Sequence, residues 1–387
     1  IETLVSKTKC VLTTVGPYQL YGDDIVAACA KSGTDYVDLC GEPGWMHEKI
    51  NGNDYLVDEK YSIEDRCRYQ ICDYKRPTTL LPITENHVRW EFMIKPDDDI
   101  SNMENESTIR NLMEPHLWRL NPQITKESGT LLRSSKYTFH GLLAKDFKYK
   151  NCFLIGDAAH QTPPFLGQGL CQGIKDAYNL VWKINGIDKH HYSKKILDTY
   201  TIERSEVVTF AIETAIKQQN IIASQSMIKS FLRDLFLRTA AFFPKLLSFL
   251  SFSYPWNYSN GIIDNNLYPN DVNGIIIPQP NLKLRVNDLP FDQYIGDEFA
   301  LLLFKCDHVF LEKINSLSNI NIFNNNIFQV DENHIFNEDT EFFNWHNDKN
   351  ITAVIIKPDK HVYGAITDSM KLENIEKLIN KLHNDLF

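Results

Sequence analysis

The stretch Gly156–Cys171, reading Gly-Asp-Ala-Ala-His-Gln-Thr-Pro-Pro-Phe-Leu-Gly-Gln-Gly-Leu-Cys, constrains this chain more than any other. It follows an apolar run over 152–155 and precedes a helical pattern over 174–184. The acidic Asp157 is therefore expected at the tip of a buried strand. A Pro163-Pro164 turn and two close glycines, Gly167 and Gly169, then lead into a helix N-terminus. Glycine lets backbone N–H groups come close to a ligand. A helix start adds unpaired donors and partial positive charge, and a carboxylate accepts hydrogen bonds from hydroxyls. The combination suits a ligand with a polyol, a phosphate or a polarisable carbonyl.

The stretch resembles the second flavin fingerprint of the FAD-dependent aromatic hydroxylases, nearest to the 3-(3-hydroxyphenyl)propionate and resorcinol hydroxylases. Asp157 and the loop Gly167-Gln168-Gly169-Leu170-Cys171 match position for position. The resemblance implies a cofactor-binding set of Gly156, Asp157, Pro164, Gly167, Gly169, Leu170 and Cys171. Asp157 would anchor the ribityl and pyrophosphate part of FAD. Pro164 would shape the wall near the flavin's reactive edge. Backbone N–H groups around Gly169, Leu170 and Cys171 would stabilise negative charge on the reduced ring. The activity implied is hydroxylation of a small phenolic aromatic compound with FAD, NAD(P)H and O2. No catalytic base is named. His160 reads equally as a base or as a residue that orients the loop.

The rest of the chain is expected to be a mixed α/β protein. Residues 54–150 resemble that family's antiparallel substrate sheet. In Val88-Arg89-Trp90-Glu91-Phe92-Met93-Ile94-Lys95 the alternation puts Val88, Trp90, Phe92 and Ile94 on one face, with core favoured over substrate contact for Trp90 and Phe92. Residues 151–285 are expected to form the FAD-binding segment and a helical arm, in which Glu203 and Arg204 tie helices together. Residues 290–387 resemble the family's thioredoxin-like tail, without a CxxC and hence without thiol chemistry. The Asn-rich stretch 319–326 reads as a loop shaped by base composition.

Residues 1–50 differ. Val15-Gly16-Pro17-Tyr18 and Tyr36-Val37-Asp38 with Gly41-Glu42-Pro43 resemble saccharopine dehydrogenase-like oxidoreductases, as a strand–helix–strand piece without its phosphate loop. A complete flavin hydroxylase of this family starts with a strand, GxGxxG and a helix that hold the FAD pyrophosphate. These 387 residues contain no GxGxxG and no Asp-Gly pair. The nucleotide-binding core is accordingly expected to be truncated. Two alternative readings follow, a non-catalytic remnant or mis-joined gene acting at most as a binding module, and a saccharopine-type NAD(P) oxidoreductase. The chain opens on Ile1, as expected of a fragment or of a gene read without its start.

Composition narrows the partners. Of the residues, 43% are apolar and 12% aromatic, enough for two or three domains with real cores. The net charge of −10 argues against nucleic acid and anionic membranes. Eight scattered cysteines and twelve histidines form no metal-type spacing, so no metal is expected, and the usage suits a reduced, cytoplasmic protein. His190 and His191 read as solvated. No signal peptide or bilayer-spanning run is found. The segment 227–256 reads as one or two amphipathic helices broken at Pro244, packed on the body of the protein, with a membrane-surface or partner-binding face as the alternative.

Overall fold

A computed structural model describes residues 10–13, 35–38, 50–61, 63, 67–242, 257–278, 292, 295–304, 306–330, 341–367 and 370–387. The chain packs as two compact units. One holds Ile1–Ala144, Gly156–Cys171 and Ala211–Ser253, and the other Lys145–Ile155, Gln172–Phe210 and Tyr254–Phe387. The Gly156–Cys171 loop goes with the sheet that precedes it.

In the first unit, β1 (Cys10–Thr13) and β2 (Asp35–Asp38) pair in parallel, Cys10 opposite Asp35. The helix expected between them lies outside the described residues. Five strands then build one antiparallel sheet. They are β3 (Ile50–Val57), β4 (Tyr69–Ile71), β5 (Thr78–Pro82), β6 (His87–Met93) and β7 (Gly129–Tyr137), in the order β4-β5-β6-β3-β7. On β6 the alternation is realised. Val88, Trp90 and Phe92 are fully buried and pack with Ile109 and Met113 of α1 (Glu106–Met113) and with Leu117. Each such side chain contributes about 1.5–3 kcal/mol by leaving water. Helix α1 stops at Met113 and tightens into a 3-10 turn over Glu114–Arg119. Pro115, at the start of that turn, has no N–H to continue the α-helical ladder. Where β7 begins, a Cβ on Gly129 would run into the Leu56 carbonyl and the Tyr55 ring, so only glycine allows the strands this close.

Two long helices follow, α2 (Gly169–His190) and α3 (Thr199–Ile222), and then α4 (Met227–Ala241), whose N-cap Ser226 accepts from the Lys229 N–H at 3.4 Å. The polar side of α4 holds the unit: Arg233 donates to the carbonyls of Ile221 and Cys72 at 3.0 and 2.5 Å, and Ser230 is buried. Its apolar side, Met227, Ile228, Phe231, Leu232 and Leu235, faces water, with Phe231 65% exposed. No described helix is long and apolar enough to cross a membrane.

The second unit ends in a thioredoxin-like arrangement of β8 (Ala300–Phe304), α5 (His308–Asn315), β9 (Ile327–Val330), α6 (Glu341–Asp348), β10 (Ala353–Ile356), β11 (Val362–Ile366) and α7 (Leu372–Leu386). The sheet order is β9-β8-β10-β11, with only β8 and β9 parallel. On α7, Ile375, Leu378, Ile379, Leu382 and Leu386 recur every three or four residues and are buried. The Asn-rich stretch has structural work. Asn319 (φ 64°) and Asn324 (φ 45°) flank a 3-10 turn over Ile320–Phe323 in the left-handed conformation that asparagine tolerates better than most residues.

Charge is buried in this unit on a large scale. Lys183 Nζ stands 2.8 Å from Glu203 Oε2, Arg204 Nε donates to Asp176 Oδ1 at 2.7 Å, and Lys357 Nζ lies 3.6 Å from Asp359 Oδ2. Asn179 Nδ2 bridges Glu203 and Asp359 at 2.6 and 2.9 Å. Glu203 and Arg204 thus tie helices together through different partners rather than through each other. Burial would raise the Glu203 carboxyl, but Lys183 and Lys357 outweigh it and pull it down to about 2. The reading of His190 as solvated is corrected too. It is half-buried at the end of α2, stacked on Tyr192 (5.4 Å) and 3.2 Å from Glu298, while His191 is exposed.

Candidate active site

The strand expected before Asp157 is short. Only Cys152 and Phe153 pair, with Tyr149 and Lys148, and Leu154 is exposed while Ile155 is buried. The chain then turns at Gly156 (φ 57°), which is buried, and Asp157 stands in a 3-10 turn over Gly156–Ala158. His160 and Gln161 pair with Leu143 and Leu142. After Pro163, a second 3-10 turn over Pro164–Leu166 closes when the Gly167 N–H donates to the Pro164 carbonyl at 2.9 Å, and Gly167 takes φ 63°. α2 starts two residues later, at Gly169.

This geometry brings Asp157 and the helix start together. A Cβ built on Gly169 would meet the Asp157 carboxylate at 4.0 Å and nothing nearer, and one on Gly167 would meet open space. Burial raises the Asp157 carboxyl above its usual range, against an opposing contribution from His160. Leu170 and Cys171, at the first turn of α2, are exposed.

Pro164, Phe165 and Gly167 form one wall of a cavity of about 390 Å³, within the range of roughly 300–1,000 Å³ usual for small-molecule sites. The sheet supplies the opposite wall. Gln70, Thr79 and Glu91 stand in register across β4, β5 and β6, on the face away from Trp90. Met93, Leu81, Thr138 and Phe139 complete that side, and Gln219, Ile222 and Ala223 of the α3 end close it. Arg68 and Glu91 are its charged residues. Neither Asp157 nor His160 lines this cavity. Asp157 sits behind the Pro164–Gly167 wall in sequence, and His160 is buried in its strand. The sequence reading missed Thr138, Gln70, Thr79 and Glu91. The alternation of β6 already separated Glu91 from the core face and was the available signal.

Three buried acceptors along the loop, Gln161 Oε1, Thr162 Oγ1 and Gln168 Oε1, have no hydrogen-bond partner among the described residues. Leaving such an atom unsatisfied costs about 1–3 kcal/mol. A ligand that brings several hydroxyl and N–H donors to an open, glycine-lined loop removes that cost. The ribityl chain and ring of FAD meet this description. The adenylate end has no GxGxxG to receive it in these residues.

Residues 55–215 match the FAD binding domain family. A 3-(3-hydroxy-phenyl)propionate/3-hydroxycinnamic acid hydroxylase of Burkholderia cenocepacia is 29% identical over 257 residues, 65% of this chain and 46% of that protein. One from Escherichia coli O157:H7 is 24% identical over 333 residues, 81% of this chain and 58% of that protein. The chain spans about half the length of the curated relatives it matches. Among solved structures, the flavin-dependent monooxygenase PieE in complex with FAD and substrate superposes with a TM-score of 0.66 at 14% identity, over 90% of this chain and 69% of that one. Aklavinone-11 hydroxylase in complex with FAD and aklavinone gives 0.63 at 15%, over 88% and 63%. The saccharopine dehydrogenase-like reading of residues 1–50 is not shown by these comparisons.

Proposed function

We propose that this chain, similar to the FAD-dependent aromatic monooxygenases, hydroxylates a small phenolic compound, with FAD as cofactor and NAD(P)H and O2 as co-substrates. One observation carries the reading. The Asp157 carboxylate faces the glycine start of α2, and the loop between them walls a cavity backed by the antiparallel sheet.

Each residue then has a physical task. Asp157 accepts hydrogen bonds from ribityl hydroxyls. The open N–H groups at Gly169, Leu170 and Cys171 hold negative charge at the ring edge, helped by the helix start. Gly156 lets the chain turn beneath Asp157. Gly167 and Pro164 keep the loop against the ring, and Phe165 with Phe139, edge-on at 5.9 Å, excludes water from the cavity. FAD supplies the activation of O2, of which one oxygen atom enters the aromatic ring and the other leaves as water. The exposed first turn of α2 fits a role for Leu170 and Cys171 through the backbone rather than the side chain.

The lack of GxGxxG in these residues favours a second reading, a binding module that holds flavin weakly and does not turn over. Charge-assisted bonds to a pyrophosphate are worth roughly 1.5–3 kcal/mol each, so three missing bonds weaken binding about a thousandfold or more. One experiment separates the readings. Purified protein is titrated with FAD and followed at the flavin bands, and NAD(P)H oxidation is then measured with and without a phenolic acid. Flavin binding with phenol-stimulated oxidation supports the monooxygenase. Flavin binding without oxidation supports the module. No flavin binding removes both.

A further inference from the structure

We propose that Thr138 is the residue by which the cavity recognises the hydroxyl group of its aromatic ligand, an inference that rests on the monooxygenase reading above. Thr138 directly follows β7 and lines the cavity. Its Oγ1 is buried and has no hydrogen-bond partner among the described residues. A buried hydroxyl without a partner is uncommon in folded proteins because it loses water and gains nothing in return. A ligand that enters the cavity and offers one hydroxyl relieves that loss, since both groups can donate and accept.

The placement suits the chemistry. Phe139, the next residue, meets Phe165 edge-on, and Phe165 belongs to the wall formed by the Pro164–Leu166 turn. Thr138 therefore stands where the sheet side of the cavity meets the loop proposed to carry the flavin ring. Of the other neutral polar residues in the lining, Gln219 is only half-buried. Thr79 Oγ1 already donates to Gln70 Oε1 at 3.1 Å. Arg68 and Glu91 bring opposite charges to the same lining. Among the described lining residues, the buried side-chain atom left without a partner is the Thr138 hydroxyl, and it selects a hydroxyl. A site built to hydrogen-bond a substrate OH discriminates against the analogue that lacks it.

The test is calorimetric and needs no turnover. The full chain, with and without FAD, is titrated with 3-hydroxyphenylpropanoate and with 3-phenylpropanoate, which lacks only the ring hydroxyl. The wild type is expected to prefer the hydroxylated compound by about three- to tenfold, the value of one net hydrogen bond. Thr138→Val, nearly isosteric, is expected to erase that preference while leaving affinity for 3-phenylpropanoate unchanged. Thr138→Ser keeps the hydroxyl and should keep the preference. Equal affinity of the wild type for both compounds, a preference that survives in Thr138→Val, or binding of neither compound overturns the proposal. Flavin binding is recorded separately in the same protein. Its failure removes the monooxygenase reading, while the hydroxyl preference measured without FAD still decides the role of Thr138.

Discussion

Asp157 and Gly169 face each other across the turn that separates them by twelve residues, with the carboxylate 4.0 Å from the place a Cβ would occupy on the glycine. On the proposed reading, the first N–H groups of α2 and the carboxylate serve one common ligand. Donor and acceptor are set side by side before any ligand arrives, which reduces the ordering needed on binding.

Asp157→Asn is expected to weaken FAD binding about ten- to a hundredfold, because hydrogen bonds to a charged group are worth about 1.5–3 kcal/mol. The wild-type affinity should also depend on pH. Burial holds this carboxyl above the usual aspartate range, so it takes up a proton at a pH where an exposed aspartate is still ionised. FAD affinity is then full above the raised value and falls as the pH drops through it. Flavin fluorescence titrations between pH 4 and 8 read the effect. The asparagine variant should lose this dependence, and a wild-type affinity that is flat over the range speaks against a bound-state role for the carboxylate.

Gly167→Ala tests the loop. The residue sits at φ 63° with open space around its Cβ, so the cost is conformational rather than steric. About 1–2 kcal/mol is expected for a non-glycine residue in the left-handed region. Denaturant unfolding should show that loss with an unchanged slope, together with weaker flavin binding. An unchanged stability would mean that the loop relaxes elsewhere.

Glu203→Gln leaves Lys183 and Lys357 with less compensation in a fully buried cluster. Removing one member of such a pair typically costs about 3–5 kcal/mol, and the expected readout is a large fall in the unfolding midpoint at neutral pH. The wild type should also lose stability in acid. Glu203 has its folded value pulled down to about 2, below the roughly 4.3 of an unfolded chain. Its contribution is therefore complete above pH ~4.3 and is lost as the pH falls toward about 2. Asp359, also held low against burial by Lys357 and His361, acts in the same direction. Acid unfolding followed by circular dichroism measures both, and a variant as acid-resistant as the wild type contradicts the assignment.

Phe231→Ser and Leu235→Ser should change folding stability by no more than about 0.5 kcal/mol, because both side chains lie on the exposed side of α4. Thermal unfolding of the two variants is a direct check. A loss of several degrees would show that this face is covered in the folded protein.

Much of this architecture can be read from residue pattern. Val88, Trp90 and Phe92 announce their burial by alternation, and the spacing of Ile375, Leu378, Ile379 and Leu382 announces a helix with one buried side. The Gly156–Cys171 segment identifies its own turn and helix start, since Pro163-Pro164 and Gly167 leave the backbone few choices. What escapes the sequence is pairing at a distance. Glu203 and Arg204 are neighbours that take different partners, Lys183 and Asp176, and only packing decides that. The orientation of α4 escapes for a similar reason. Its amphipathic pattern fixes which residues share a side, but Arg233 reaching the Ile221 and Cys72 carbonyls determines which side turns inward. Thr138 carries no local signal at all, because its role depends on a loop that follows it by more than twenty residues.

Strand β6 writes two messages on one thread. Even-numbered residues hold the domain together, and the odd-numbered Glu91 and Met93 look into the cavity. Drift at the odd positions can therefore change what the protein accepts without touching what keeps it standing. Lineages descended from such a strand are free to explore new chemistry at little risk to their scaffold.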